Sequence, residues 1–405
     1  MKPRIPLYLL ALAGGTALLA GCVPNPGTDA AATVIAVDST ESGCTVETDT
    51  VASGTVTFRV NNSGERITEF YLLGDDELSI VSEVENIAPG ASRDLTVLAQ
   101  PGSYFTVCKP GMIGAGIGQA PFTVTGETVA VSEDKEAAIA EAVTNYTAYV
   151  KTQAAELVPN VQEFVDAYLA GNDDEARRLF PLVRINYERI EPTAAQFGDL
   201  DPAIDYRKPG AEAEGLEFTG FHRIEMDLWL DAAAANYPDE TITALDPAGR
   251  AEIGNKLVAD VTALYDAVHA DEFELSVSDI TNGAIGLLDE VAAPDGKLPG
   301  EENEFAHTDL YDFYANVEGA EVAYNAVRQI ALDSGADGEA LVAELDEQFA
   351  AMKDLLSTYG DYESGFVFYD TVSQSERNEL GAQLNALSEP LAQLTHAVLG
   401  VDPAA

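Results

Sequence analysis

Near residue 130 the chain changes character, and no single regular architecture accommodates both sides of the change. From residue 33 to 126 it is rich in Val, Thr, Ser and Gly, in short runs that alternate apolar and polar positions. Thr55-Val56-Thr57-Phe58-Arg59-Val60 is the clearest, with companions at 67–73, 94–99, 104–108 and 121–125. Asn61-Asn62-Ser63-Gly64, Ala88-Pro89-Gly90 and Gln100-Pro101-Gly102 are turn signals between them. A period of two, punctuated in this way, predicts a small β-sandwich over residues 33–126. After Ser132 the chain turns to Ala, Leu, Glu and Asp with helical periodicity. Helices are predicted near 134–157, 160–170, 173–191, 216–235, 248–270, 277–292, 304–333, 337–358 and 373–399. Asp246-Pro247 is a start signal for one of them, a capping carboxylate before a proline at the first helical position. The fold class is therefore multidomain, all-β followed by all-α, with a helical bundle over residues 130–402.

Residues 1–21 read as a lipoprotein signal. Lys2 and Arg4 precede an apolar run from Leu7 to Ala20, and Leu19-Ala20-Gly21-Cys22 closes it. This predicts cleavage before Cys22, a lipid on that residue, a flexible tether at 22–32 and a mature protein anchored outside the cytoplasmic membrane. With 21 basic and 69 acidic side chains the net charge is −48. That excess disfavours nucleic acid and anionic lipid surfaces and favours cations. A hydrophobic content of 46% excludes a wholly disordered chain.

After Cys22, only Cys44 and Cys108 remain. An isolated pair in an oxidising compartment is a disulfide or a metal site. The β region has no histidine, which excludes a blue-copper centre built on two imidazoles. Cys44 lies before the strands, Cys108 closes a late one ahead of a loop carrying Met112, and Glu69 sits on a middle strand. Free sulfurs converging with that carboxylate would suit copper better than iron. A disulfide stapling the sheets is the other reading, and both stand open.

All four histidines lie in the helical part. On a helix, His222 and Glu225 share a face three residues apart. Phe221, Ile224 and Leu228 form a separate packing stripe, and Arg223 with Asp227 makes an i, i+4 pair suited to the solvent side. Glu188 and Glu191 repeat the i, i+3 spacing, with Arg184 one turn before Glu188 as a competing salt-bridge partner. Asp199, Asp201 and Asp205 follow in a loop, and Glu301, Glu302, His307 and Asp309 form a further cluster. Carboxylates with one imidazole fit ferrous or ferric iron, manganese or zinc. His-Glu-x-x-His, its inverse and Gly-x-Ser-x-Gly are all absent. His269 and His396 read as structural or surface residues.

Several of these motifs resemble a family. Gly220-Phe221-His222-Arg223-Ile224-Glu225, preceded by Tyr187-Glu188-Arg189-Ile190-Glu191-Pro192 and Phe197-Gly198-Asp199-Leu200-Asp201-Pro202, resembles the imelysin-like domain of EfeO-type iron-uptake lipoproteins. Ala306-His307-Thr308-Asp309 and Asn316-Val317-Glu318-Gly319-Ala320 look like later signatures of the same family. The resemblance covers nearly all of residues 33–400 and implies a cupredoxin-like first domain. It implies a non-enzymatic, extracytoplasmic iron-binding protein that works with a membrane iron permease and a haem peroxidase. It further implies His222 and Glu225 as metal ligands or near neighbours, with Glu188, Glu191 and Asp205 converging on them. Cys44, Glu69 and Cys108 become a second candidate site, for copper or zinc. An imelysin-type metallopeptidase and an acidic-polysaccharide-binding module are the alternatives from other functional classes.

Overall fold

The computed structural model describes residues 33–75, 80–111, 116–127, 133–294 and 296–400. The signal segment, the tether, Cys22 and Met112 lie outside these described residues.

The β region comprises β1 (Thr33–Thr40), β2 (Gly43–Val46), β3 (Thr50–Ala52), β4 (Gly54–Asn62), β5 (Thr68–Leu73), β6 (Ile80–Ile87), β7 (Ser92–Ala99), β8 (Gly102–Cys108) and β9 (Ile117–Thr125). One sheet has the order β2-β1-β4-β7 and the other β3-β9-β8-β5-β6. The β1–β4 and β3–β9 pairs are parallel, the rest antiparallel. Alternation decides which side chains go inside. Val56, Phe58 and Val60 of β4 enter a core shared with Phe70 and Phe122 of the other sheet. The Phe58 ring sits 5.2 Å from each of those two phenylalanines. Burying each such side chain stabilises the fold by roughly 1.5–3 kcal/mol.

Helices follow: α1 (Glu133–Leu169), α2 (Asp173–Glu188), α3 (Glu191–Ala194), α4 (Leu200–Asp205), α5 (Lys208–Glu214), α6 (Gly220–Leu228), α7 (Leu230–Asn236), α8 (Pro247–His269), α9 (Val277–Ala292), α10 (Asp309–Leu332), α11 (Ala336–Ser357), α12 (Gln374–Leu391) and α13 (Leu394–Leu399). Among the described residues, no helix is long and apolar enough to cross a membrane. Asp246 caps α8 as its sequence suggests, its side chain accepting from the Gly249 N–H at 2.8 Å.

Several details depart from the sequence reading, among them the position of Cys44, which lies on β2 after β1 and not before the strands. The segments expected at 134–157 and 160–170 are one helix, α1, running through Pro159. Proline there removes a backbone donor, but Leu157, Val161, Phe164 and Tyr168 are all fully buried and carry the packing stripe past it. The 216–235 segment is broken at Trp229, whose φ of −116° and ψ of 54° separate α6 from α7. Asp227 does not face solvent beside Arg223. It is 2% exposed, accepts from the Tyr168 hydroxyl at 2.8 Å and pairs with Arg250 at 2.9 Å.

The two regions share a polar seam. Arg93 of β7 pairs with Asp289 of α9 at 2.5 Å, and the Leu98 N–H donates to Ser278 Oγ at 3.1 Å. Thr96 Oγ1 lies 3.1 Å from Nε2 of the buried His396 on α13.

Candidate metal centre

Six segments meet around α2, α4 and α6. Arg184 and Glu188 stand one turn apart on α2, and Glu191 follows on α3. Asp205 ends α4, while His222 and Glu225 share a face of α6. The irregular stretch between α9 and α10 contributes Lys297 and Glu302, and Asp312 comes from the first turn of α10. The contact between α4 and α6 depends on Gly220. Its φ is +76°, and a Cβ there would lie 2.0 Å from the Ile204 carbonyl oxygen. Thr219 Oγ1 donates to the Ala203 carbonyl at 2.9 Å, which fixes the same approach. Together these bring His222 against Asp205.

At the middle, one nitrogen of His222 and one oxygen each of Asp205 and Glu302 lie within 4.8 Å of one another. His222 Nε2 is 3.4 Å from Asp205 Oδ1 and 3.3 Å from Glu302 Oε1. Ligand atoms around one transition ion at about 2.1 Å are separated by about 3–3.5 Å, so this spacing suits a single ion. Nδ1 of the same ring lies 2.8 Å from Glu225 Oε2. Glu225 Oε1 in turn accepts from the backbone N–H groups of Phe305 and Ala306, each at 2.8 Å. Glu225 thereby aims the imidazole and ties the Glu302 segment to α6 at once.

Fixed cations face these acids. The fully buried guanidinium of Arg184 contacts Glu188 and Asp205, lies 2.9 Å from Glu302 Oε1 and 3.3 Å from Asp312 Oδ2. Lys297, also fully buried, lies 3.2 Å from Glu188, 3.4 Å from Glu191 and 3.6 Å from Glu302. Arg207 reaches Glu302 Oε2 at 2.7 Å. Of these side chains, Arg207, 20% exposed, and Glu191, 14% exposed, are the most accessible to solvent.

The imelysin family model matches residues 142–394, a span that includes every group just described. Over 372 residues the chain is 35% identical to the iron uptake system component EfeO of Escherichia coli (strain K12), and equally to that of Shigella flexneri. The match covers 91% of this chain and 92% of each relative. The chain is an EfeO-type member of the imelysin family. An imelysin-like protein of Psychrobacter arcticum superposes with a TM-score of 0.41 at 13% identity, covering 67% of this chain and 98% of that one.

Electrostatics divide the carboxylates of this imelysin centre into two sets. Burial pushes Asp205 up, but Arg184 and His222 outweigh it and hold the acid below the ordinary aspartate value. Burial likewise opposes ionisation of Glu302, and Arg207, Lys297 and His222 hold it well below the glutamate value. For Glu188, Glu191 and Asp312 burial wins over the nearby cations, and all three are raised. Burial and Arg184 disfavour charge on His222, yet its bonds to Asp205, Glu225 and Glu302 raise the imidazole well above the usual histidine value.

Of the residues singled out in the sequence, His222, Asp205 and Glu188 converge, and Glu191 stands at the rim through Lys297. His222 and Glu225 share a face as expected, but Glu225 spends both oxygens on the histidine and the backbone. Arg184 does pair with Glu188, and with the other acids besides. Asp199, Asp201 and Asp205, expected in a loop, cap or belong to α4, and of the three only Asp205 reaches the centre; Asp201 accepts from the Tyr187 hydroxyl. Glu302 comes from the later acidic cluster, whereas Lys297, Arg207 and Asp312 carried no signal in the sequence.

The second candidate site is corrected. Cys44 of β2 and Cys108 of β8 are joined in a disulfide that links the two sheets. Sulfurs bonded to each other are not thiolate ligands, so a metal site built on them is not formed. Glu69 does not join them either. Phe70 is in register with Cys108 and shares its core face, so Glu69, one residue earlier, faces the opposite way. Its carboxylate accepts from the hydroxyl of Tyr71, two residues along the same strand face.

Proposed function

We propose that this chain is the extracytoplasmic iron-binding component of an iron-uptake system, capturing the ion at Asp205, His222 and Glu302. The observation that carries this reading is the mutual approach of those three ligand atoms within 4.8 Å, inside a family whose compared relatives are iron uptake system components. Glu191 supplies further carboxylate at the solvent-facing rim with the buried Glu188 behind it, and Glu225 fixes the imidazole. In the same reading, Cys22 carries the lipid that tethers the mature protein, and a membrane permease with a haem peroxidase accepts the cargo. The β region, read as cupredoxin-like, serves as a disulfide-stapled platform packed on α9.

Capture has two local requirements. His222 must lose a proton, and Arg184 must yield part of its hold on the oxygens of Asp205 and Glu302 that face the ring. Acid reverses the first, and the returning guanidinium reverses the second. Such a site holds an ion without trapping it, as delivery requires. The centre offers one imidazole where a His-Glu-x-x-His grip supplies two, which favours carriage over peptide hydrolysis.

The test is metal analysis and titration of the full mature chain purified without chelators, beside His222→Ala and Glu302→Gln. One iron bound by the parent and lost in both variants supports the proposal. Undiminished iron in both variants refutes it.

A further inference from the structure

We propose that Asn303, Thr308, Asp309 and Asp312 form a second, oxygen-only cation site, suited to calcium, which adjoins the histidine centre through the contact of Asp312 with Arg184. All four side chains are nine-tenths or more buried. Asn303 ties the two acids together: its backbone N–H donates to Asp309 Oδ1 at 3.2 Å, and its side-chain amide donates to Asp312 Oδ2. In each carboxylate the other oxygen, Asp309 Oδ2 and Asp312 Oδ1, has no partner in the protein. Nor does Asn303 Oδ1, nor Thr308 Oγ1. Thr308 occupies the N-cap position of α10 but makes no capping hydrogen bond.

A buried acceptor without a donor is costly, so a concentration of such oxygens in one short segment calls for a positive partner beyond Arg184, which among these four residues reaches only Asp312 Oδ2, at 3.3 Å. Elsewhere among the described residues only Tyr149 Oη, Asn316 Oδ1 and His396 Nδ1 share that state, and Asn316 is one helical turn beyond Asp312. Chemistry selects the ion. Two carboxylates, an amide oxygen and a hydroxyl offer no nitrogen or sulfur, which sets the site apart from the His222 centre. Calcium accepts six to eight oxygens at irregular angles, whereas magnesium keeps several waters that a solvent-excluded site does not readily admit. A cation here would brace the residue next to Glu302 and the start of α10. In the same loop His307 adopts φ of +54°, an uncommon conformation for a non-glycine residue.

The probe is CaCl2 titrated by calorimetry into chelator-stripped, full mature chain, compared with Asp309→Asn and His222→Ala. The expected result is one calcium bound by the parent, equal affinity in His222→Ala, and at least tenfold weaker binding in Asp309→Asn. No calcium binding by the parent means that water fills the site, and overturns the proposal. So does loss of calcium in His222→Ala, which would place the ion at the histidine centre. Should Asp309→Asn fail to fold, Thr308→Val is read instead: weaker binding supports the site and parental affinity overturns it. Iron binding by the parent is measured separately, so failure here leaves the iron reading untouched.

Discussion

Between the β sheets the interior is Phe58, Phe70, Phe122 and one disulfide; between α2, α4, α6 and α10 it is a knot of Arg184, Lys297, His222 and carboxylates. The first interior is additive, since each ring contributes its own burial and no group depends on a particular partner to be tolerable. The second is mutual. Every charge there is acceptable only because opposite charges surround it, and removing one leaves the others buried and uncompensated. Apolar residues of similar volume would often give equal or greater stability. Stability alone therefore does not account for the ionic interior, which is in keeping with the cation-holding role proposed for it, while the β interior needs only to be a rigid body.

The largest expected effect breaks the mutual interior. Arg184→Ala in metal-free protein should cost about 3–5 kcal/mol, because Glu188, Asp205, Glu302 and Asp312 all lose a partner. Urea unfolding measures it. Added iron should recover part of the loss, and a cost below about 1 kcal/mol would show the acids already neutralised by protons.

Next comes the staple. Replacing Cys44 and Cys108 together by serine should cost about 2–5 kcal/mol, since the bridge closes a long loop, with a sequence separation of 64. Iron affinity of the helical centre should be unchanged. A parallel loss of iron would reinstate the cysteines as participants in metal binding and collapse the contrast between the regions.

A smaller effect belongs to the residue that aims the imidazole. Glu225→Gln keeps an oxygen for the Phe305 and Ala306 N–H groups but turns an amide donor toward His222 Nδ1. The proton then moves to Nε2, the nitrogen facing Asp205 and Glu302. Iron affinity should fall by about 10–100-fold with helicity retained. Equal affinity would place the ion away from Nε2.

The β interior was legible because strand period alone sorts Val56, Phe58 and Val60 inward. Separating Glu69 from Cys108 takes the strand register as well, since it is the pairing of Phe70 with Cys108 that puts those two on the core face and Glu69 on the other. In the helical region the i, i+3 pairs were visible because helical spacing is local. What joins them is not local: Glu302 is 80 residues from His222 and comes from an irregular loop, where no period marks the inward face. Lys297, lying between Gly296 and Pro299, is an isolated basic residue in a turn-rich stretch, where no periodicity marks it as buried. Arg184 was seen as a partner of Glu188, but its wider role requires knowing that α4 and α10 arrive on the same side.

The smallest expected effect compares two buried histidines of opposite sign. His222, raised above its ordinary value, contributes stability that is fully present below the unfolded value of about 6.5 and lost as pH rises through its folded value. His396 runs the other way. Burial at the seam depresses it, with Arg59 assisting and Asp94 and the Ala392 backbone opposing, and its Nε2 meets only the neutral Thr96 hydroxyl. Below pH 6.5 the unfolded chain takes up a proton that the native ring refuses, so its contribution is present above that pH and fades as pH falls toward the folded value. The slope is bounded at about 1.4 kcal/mol per pH unit for one proton. His396→Gln should therefore flatten the loss of stability between pH 6.5 and 5 while leaving the alkaline limb to His222. Urea midpoints across that range measure it. An unchanged acid slope would mean that the seam admits the proton, and that the β region rests on the bundle less tightly than the Thr96 contact implies.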